Sequence, residues 1–70
     1  MADNHMTMAT KQIQHMLGEM RRAGLSIDEI ATRARIARGP LFRFLQGDTK
    51  ALSDEFEKIA SLYAQVIGPR

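Results

Sequence analysis

The sequence predicts an all-α chain of four short helices, and three observations carry that expectation. Apolar residues recur at helical spacing in two stretches, Ile13, Met16, Leu17 and Met20 near one end and Phe56, Ile59, Ala60, Tyr63 and Ile67 near the other. Between them, residues 25–47 read as two short helices about a tight turn, each with its own start and stop signals. No strand pattern competes with these.

Residues 1–9, MADNHMTMA, show no period and are expected to form a flexible amino-terminal arm. The arm holds no Lys or Arg with which to touch nucleic acid. The first helix is expected over 10–23, with Thr10 as its cap and Gly24 as its stop. Its methionines suit gap filling in a core. Arg21 and Arg22 fall in its last turn, where cations complement the helix dipole, and either is also within reach of a phosphate.

The second helix is expected to begin at Ile27. Ser26 followed three residues later by Glu29 is a capping box: the serine oxygen accepts from the Glu29 N–H, and the carboxylate accepts from the Ser26 N–H. Ile30, Ala31 and Ala34 share one face, and the small Ala31 suits a close crossing by another helix. Ile36 is an apolar residue in the turn. The third helix is expected to start near Gly39 or Pro40, because proline fits a first helical position where an N–H would be unpaired. Leu41, Phe44 and Leu45 then point inward and Phe42, Arg43 and Gln46 outward, with Gly47 as the left-handed stop. A loop follows over 48–52. Ser53 is expected to cap the fourth helix, with Asp54 and Glu55 in its first turn, Leu52 and Leu62 flanking the inward stripe, and Gly68 and Pro69 ending it.

The expected core is Ile13, Leu17, Met20, Leu25, Ile30, Ala31, Ile36, Leu41, Phe44, Phe56, Ile59, Ala60 and Tyr63. Seventy residues make one small domain, expected over 10–67 with a tail at 68–70, and a chain of this size buries only roughly 60% of its unfolded surface. No cysteine is present, which excludes disulfides and thiolate metal sites. His5 and His15 lack further ligands at useful spacing, so no metal and no cofactor is expected. No apolar run approaches a membrane span, and no signal-peptide pattern is visible, so a cytoplasmic protein is expected.

The formal net charge is +2, unevenly spread. Residues 21–50 hold seven basic side chains, Arg21, Arg22, Arg33, Arg35, Arg38, Arg43 and Lys50, against three acidic ones, Asp28, Glu29 and Asp48. A charge cluster alone is more often an ordinary solvated face. Here the basic block coincides with a helix-turn-helix, with one arginine at the start of the second helix and one on its outer face. That placement suits a helix entering the DNA major groove by its amino-terminal end.

Gly24-Leu25-Ser26-Ile27-Asp28-Glu29-Ile30-Ala31, Ile36-Ala37-Arg38, Leu41-Phe42-Arg43-Phe44-Leu45-Gln46-Gly47 and Phe56-Glu57-Lys58-Ile59-Ala60 together resemble the DNA-binding domain of the Cro/CI (XRE) repressor family. The resemblance spans about residues 13–63 without an obvious gap. It implies a compact lambda-repressor-like fold and a bacterial or phage-encoded, nucleoid-associated regulator such as a repressor or an antitoxin-type autoregulator. It also implies base reading by Arg38, Gly39, Phe42 and Arg43. Two departures stand out. Arg35 occupies a turn position where the family usually has glycine with positive φ, and Gly39 and Pro40 replace a polar pair.

The expected mechanism places residues 40–46 in the major groove of double-stranded DNA, with Arg38 and Arg43 near guanines, whose O6 and N7 accept two hydrogen bonds from one guanidinium. This requires the two guanidinium groups to project outward; were they turned inward, paired with acids or covered by a subunit, nucleotide reading would give way to docking on a protein partner. Phe42 suits either a thymine methyl or a protein partner. Arg33, Arg35, Lys50 and Gln46 are the candidate phosphate contacts; for Arg33 a plain solvated face is the alternative. A palindromic operator bound by a homodimer is expected, with Tyr63, Val66 and Ile67 as its contact or, alternatively, as the end of the core. A second reading is a protein-binding module that docks on and modulates a partner through Phe42, Leu45 and Tyr63. No nucleophile and base pair, glycine-rich phosphate loop or metal spacing is visible, so no enzyme is expected.

Overall fold

The structure, a computed structural model, describes residues 8–68. It is all-helical among the described residues: α1 (Met8–Arg22), α2 (Ile27–Ala34), α3 (Arg38–Leu45) and α4 (Phe56–Val66). Helix α4 lies against both α1 and α2, and α2 packs on α3. No helix among the described residues is long and apolar enough to cross a membrane.

Three helix ends use the same device. In a Schellman motif a left-handed residue lets its own N–H and that of the following residue turn back onto carbonyls of the last turn. At α1, Gly24 N–H donates to Arg21 O (3.0 Å) and Leu25 N–H to Met20 O (3.1 Å). At α3, Gly47 N–H donates to Phe44 O (3.1 Å) and Asp48 N–H to Arg43 O (2.9 Å). At α2 the pattern is identical, Arg35 N–H to Thr32 O (3.3 Å) and Ile36 N–H to Ala31 O (2.9 Å), but the left-handed residue is Arg35, with φ 62° and ψ 46°. Arg35 is the only non-glycine residue with positive φ among those described. The strain expected at this turn is therefore present. It is held by the burial of Ile36 and Ala31, the hydrophobic pair that closes the motif.

Five expectations about the helices are corrected. Helix α1 starts at Met8, so the expected arm extends too far; its other residues, 1–7, lie outside the described ones, as do 69–70 of the tail. Thr10 lies inside α1, one turn before Ile13 on the same face, and is buried instead of capping. Helix α3 starts at Arg38 after the uncapped Ala37, which makes Pro40 its third residue. The N–H that proline lacks is still among the first four that a helix leaves unpaired. Helix α4 starts at Phe56. Ser53 donates its N–H to Lys50 O (3.2 Å) in the preceding turns, and Glu55 stands at the cap position without a side-chain cap bond. The Glu55 carboxylate instead meets Lys58 Nζ at 3.2 Å.

The fifth correction concerns the core. Ile13, Met16, Leu17, Met20, Ile30, Ala31, Ala34, Ile36, Leu41, Phe44, Leu52, Ile59 and Leu62 are buried. Leu25, Phe56, Ala60 and Tyr63 pack against this core from half-buried positions. Leu45, expected inward, is 43% exposed. Because α4 is wedged between α1 and α2, its most buried line is Ile59 and Leu62, turned from the expected stripe. Leu52, expected only to flank, is fully buried from the loop before α4. It seals the core from a segment without helical periodicity.

Two outcomes follow from this arrangement. Arg35→Gly relieves left-handed strain of about 1 kcal/mol and raises the melting temperature by roughly 4–8 °C; an unchanged or lower midpoint in a thermal melt would contradict it. Leu52→Ala empties a fully enclosed site and costs about 2–5 kcal/mol, read as a lower urea midpoint at constant slope; a loss below 1 kcal/mol would place Leu52 outside the core.

Candidate nucleic-acid interface

The α3 surface follows from the helix period. Leu41 and Phe44 are buried, which leaves Arg38, Gly39, Phe42 and Arg43 on the opposite, exposed side. The structure thus gathers all four residues expected to read bases onto one face.

The two arginines project outward, and each meets an acid. Arg38 Nε lies 2.9 Å from Asp28 Oδ1, with the side chains 65% and 63% exposed, and this pair ties the start of α3 to the first turn of α2. The Arg38 Cζ also sits 5.7 Å from the centre of the Phe42 ring, a cation–π distance. Phe42 therefore acts as a shelf under the guanidinium, a role that neither sequence reading of this residue included. Arg43 Nε lies 3.6 Å from Asp48 Oδ2, with 58% and 48% exposure. Asp48 is itself fixed, since its Oδ1 accepts from the Lys50 N–H at 3.2 Å. The requirement that the guanidinium groups be outward is met, and the requirement that they lack acidic partners is not.

Gly39 leaves the middle of this face open. A Cβ there would stand 3.7 Å from Arg43 Nη1, an ordinary contact, so the position tolerates a small side chain without moving the arginine.

The candidate phosphate residues are dispersed. Arg33 and Arg35 border a shallow cleft between α2 and α4, with Glu57, Lys58 and Gln65 on its other wall. Gln46 ends α3, and Lys50 lies in the following turns, both exposed. Arg22, in α1, is paired with Glu19 (Nη1 to Oε2, 2.7 Å). Arg21 borders a surface depression with Gly18, Leu25, Ser26 and Ile27 at the amino-terminal end of α2.

The apolar candidates fall on different flanks. Leu45 lines a depression with Gln14, Gly18 and Arg21 of α1. Tyr63 stacks at a tilt against His15, ring centres 6.2 Å apart, on another side of the same helix. Phe42, Leu45 and Tyr63 therefore do not make one patch around α1. Tyr63, Val66 and Ile67 are half-buried and already pack against the core, so only part of each is left for a subunit contact. Among the described residues no group of three His, Asp or Glu side chains is arranged to hold a metal ion; His5 lies outside them.

Asp28 and Asp48 are the site residues that sequence reasoning missed. Asp28 reads as a plain first-turn acid, and it reaches Arg38, ten residues on, only through the α2–α3 turn. Asp48 is five residues from Arg43, beyond helical neighbour spacing, and meets it because the chain reverses at Gly47.

No protein-family model, curated protein or solved structure matches the chain.

The capping box that starts α2 is complete, Ser26 N–H to Glu29 Oε1 at 2.8 Å and Glu29 N–H to Ser26 Oγ at 3.1 Å. The Ser26 backbone hydrogen bond, helped by the Ser26 hydroxyl and Arg33, holds the Glu29 carboxyl below its ordinary pKa. Because the folded value is the lower one, this contribution to stability is complete above the unfolded pKa and is lost as pH falls through the folded value. A carboxyl-detected NMR titration should place the Glu29 midpoint below the ordinary glutamate value, and Ser26→Ala, which removes the hydroxyl but keeps the backbone N–H, should move it part of the way back; a midpoint at the ordinary value would show the box to be open in solution.

Proposed function

We propose that this chain is a sequence-specific double-stranded DNA-binding regulator, repressor-like, that reads the major groove with the exposed face of α3. The observation that supports it most is the pair of outward guanidinium groups, Arg38 and Arg43, on the second helix of a helix-turn-helix whose opposite side is buried. The reading also rests on the resemblance to the Cro/CI (XRE) family and on the basic block of residues 21–50.

The acidic partners do not defeat this reading, on two grounds. Ion pairs between exposed side chains are worth about 0.2–1 kcal/mol, whereas a bidentate arginine–guanine contact discriminates by about 1–3 kcal/mol. The nearest approach of each acid is to Nε, and the two terminal nitrogens of a guanidinium are enough to span O6 and N7 of a guanine. In this function Arg33, Arg35, Gln46 and Lys50 supply phosphate contacts, and Tyr63, Val66 and Ile67 extend a homodimer contact that matches two half-sites of a palindromic operator. The protein acts by binding, without catalysis.

One observation favours a second reading, a module that docks on a partner protein. Phe42 and Leu45, one helical turn apart on α3, are 41% and 43% exposed, and neighbouring exposed apolar side chains can mark a docking patch. Salt separates the two readings. Selection from a random duplex pool should return a site with guanine at two half-site positions, and affinity should fall roughly 10³-fold or more between 50 and 200 mM salt. Arg43→Ala should blur preference at one base pair, by about 5- to 150-fold, while Lys50→Ala weakens all sequences alike. Binding to a protein with flat salt dependence, together with no selected duplex, would replace the DNA reading by the docking one.

A further inference from the structure

Resting on the DNA-binding reading, we infer that Asp28 is a positioning residue for base recognition: its carboxylate, with the Phe42 ring, holds the Arg38 guanidinium so that its terminal nitrogens face outward toward a guanine edge.

The geometry has two independent parts. Asp28 Oδ1 receives the Nε side of the guanidinium at 2.9 Å, and the Phe42 ring stands 5.7 Å from its Cζ. An edge contact and a face contact together fix the plane of a group whose stem would otherwise sample many rotamers. Both anchors sit on rigid elements, Asp28 in the first turn of α2 and Phe42 one turn into α3. A carboxylate presents only acceptors, so it satisfies Nε–H without competing for the hydrogen bonds that a guanine O6 and N7 would take from the two terminal nitrogens. The arrangement also sets a specificity threshold. Arg38 gives up little on meeting a guanine, because its acid stays in place. On a base that offers a donor, the guanidinium cannot swing aside to find a phosphate without leaving both anchors. Asp28 itself, as a negative charge beside the duplex, lowers affinity for every sequence equally. It therefore trades general affinity for discrimination at one base pair.

Positioning and simple repulsion make different demands on the side chain. Asp28→Ala removes both charge and acceptor; Asp28→Asn removes the charge and keeps an acceptor oxygen in place; Asp28→Glu keeps both. If Asp28 positions Arg38, Asp28→Ala raises affinity for non-cognate duplexes and cuts the guanine preference at the base pair identified by Arg38→Ala by roughly fivefold. Asp28→Asn retains most of that preference and Asp28→Glu restores it. Adding Asp28→Ala to Arg38→Ala then costs no further preference, because Asp28 acts through Arg38. If Asp28 is only a repelling charge, Asp28→Ala and Asp28→Asn raise affinity for all duplexes by the same factor with the preference unchanged, and the inference fails while the DNA-binding reading stands. A second measurement needs no DNA. In the free protein, Asp28→Ala should speed hydrogen exchange of the Arg38 Nε–H and move its resonance toward that of exposed Arg21; no change would show that Asp28 does not hold the guanidinium, whatever the protein binds. A wild-type chain that selects no duplex overturns the inference together with the reading it rests on.

Discussion

The structure depends on one backbone turn. Between α2 and α3 the chain must reverse in three residues, and it does so by placing Arg35 in the left-handed region, where a residue with a Cβ is strained. The strain persists because the surroundings over-determine it. Ala31 and Ile36 are buried together, and both N–H groups of the turn find carbonyls on α2. That geometry fixes where α3 begins and in which direction it runs. The position of Arg38 beside Asp28 is a consequence, and so is the outward face of α3 as a whole.

Packing and polar satisfaction cooperate in the same way along the chain. The endings of α1, α2 and α3 return their last N–H groups to carbonyls, so short helices of 8 residues lose little at their ends. Helices so short are marginal alone, and tertiary burial stabilises them. Ile30 and Leu41 each place one fully buried side chain in the shared core, and Leu52 adds another from the loop before α4. The core is small, as a 70-residue chain requires. It is continuous across all four helices, so α3 is anchored by Leu41 and Phe44 while Arg38, Phe42, Arg43 and Leu45 stay exposed.

The electrostatics are those of a surface tuned by local partners. Of the seven basic side chains in residues 21–50, three, Arg22, Arg38 and Arg43, each meet a carboxylate. Exposed pairs of this kind contribute little to stability. Their physical effect is on orientation: a planar guanidinium with one nitrogen engaged presents its remaining donors in a defined direction. In the proposed function, that direction matters more than the number of positive charges.

Much of the architecture was legible in local signals. The Ser26–Glu29 capping box, the stop at Gly47 and the α1 stripe of Ile13, Met16, Leu17 and Met20 each depend on residues within a few positions of one another, whereas the left-handed demand at Arg35 was implied only by the family resemblance. Short-range rules of hydrogen bonding and helical period read such features directly. Ser53 misled because a good capping residue also serves well in a turn, and only packing chooses between the two. The sequence by itself determined the helical class, the turn, and which side of α3 is apolar. The tertiary structure alone decided that Leu52 is core, that α4 turns its Leu62 side inward, and that Arg38 and Arg43 have acidic partners. Those outcomes depend on where whole helices settle against one another, and no pattern confined to neighbouring residues encodes that distance.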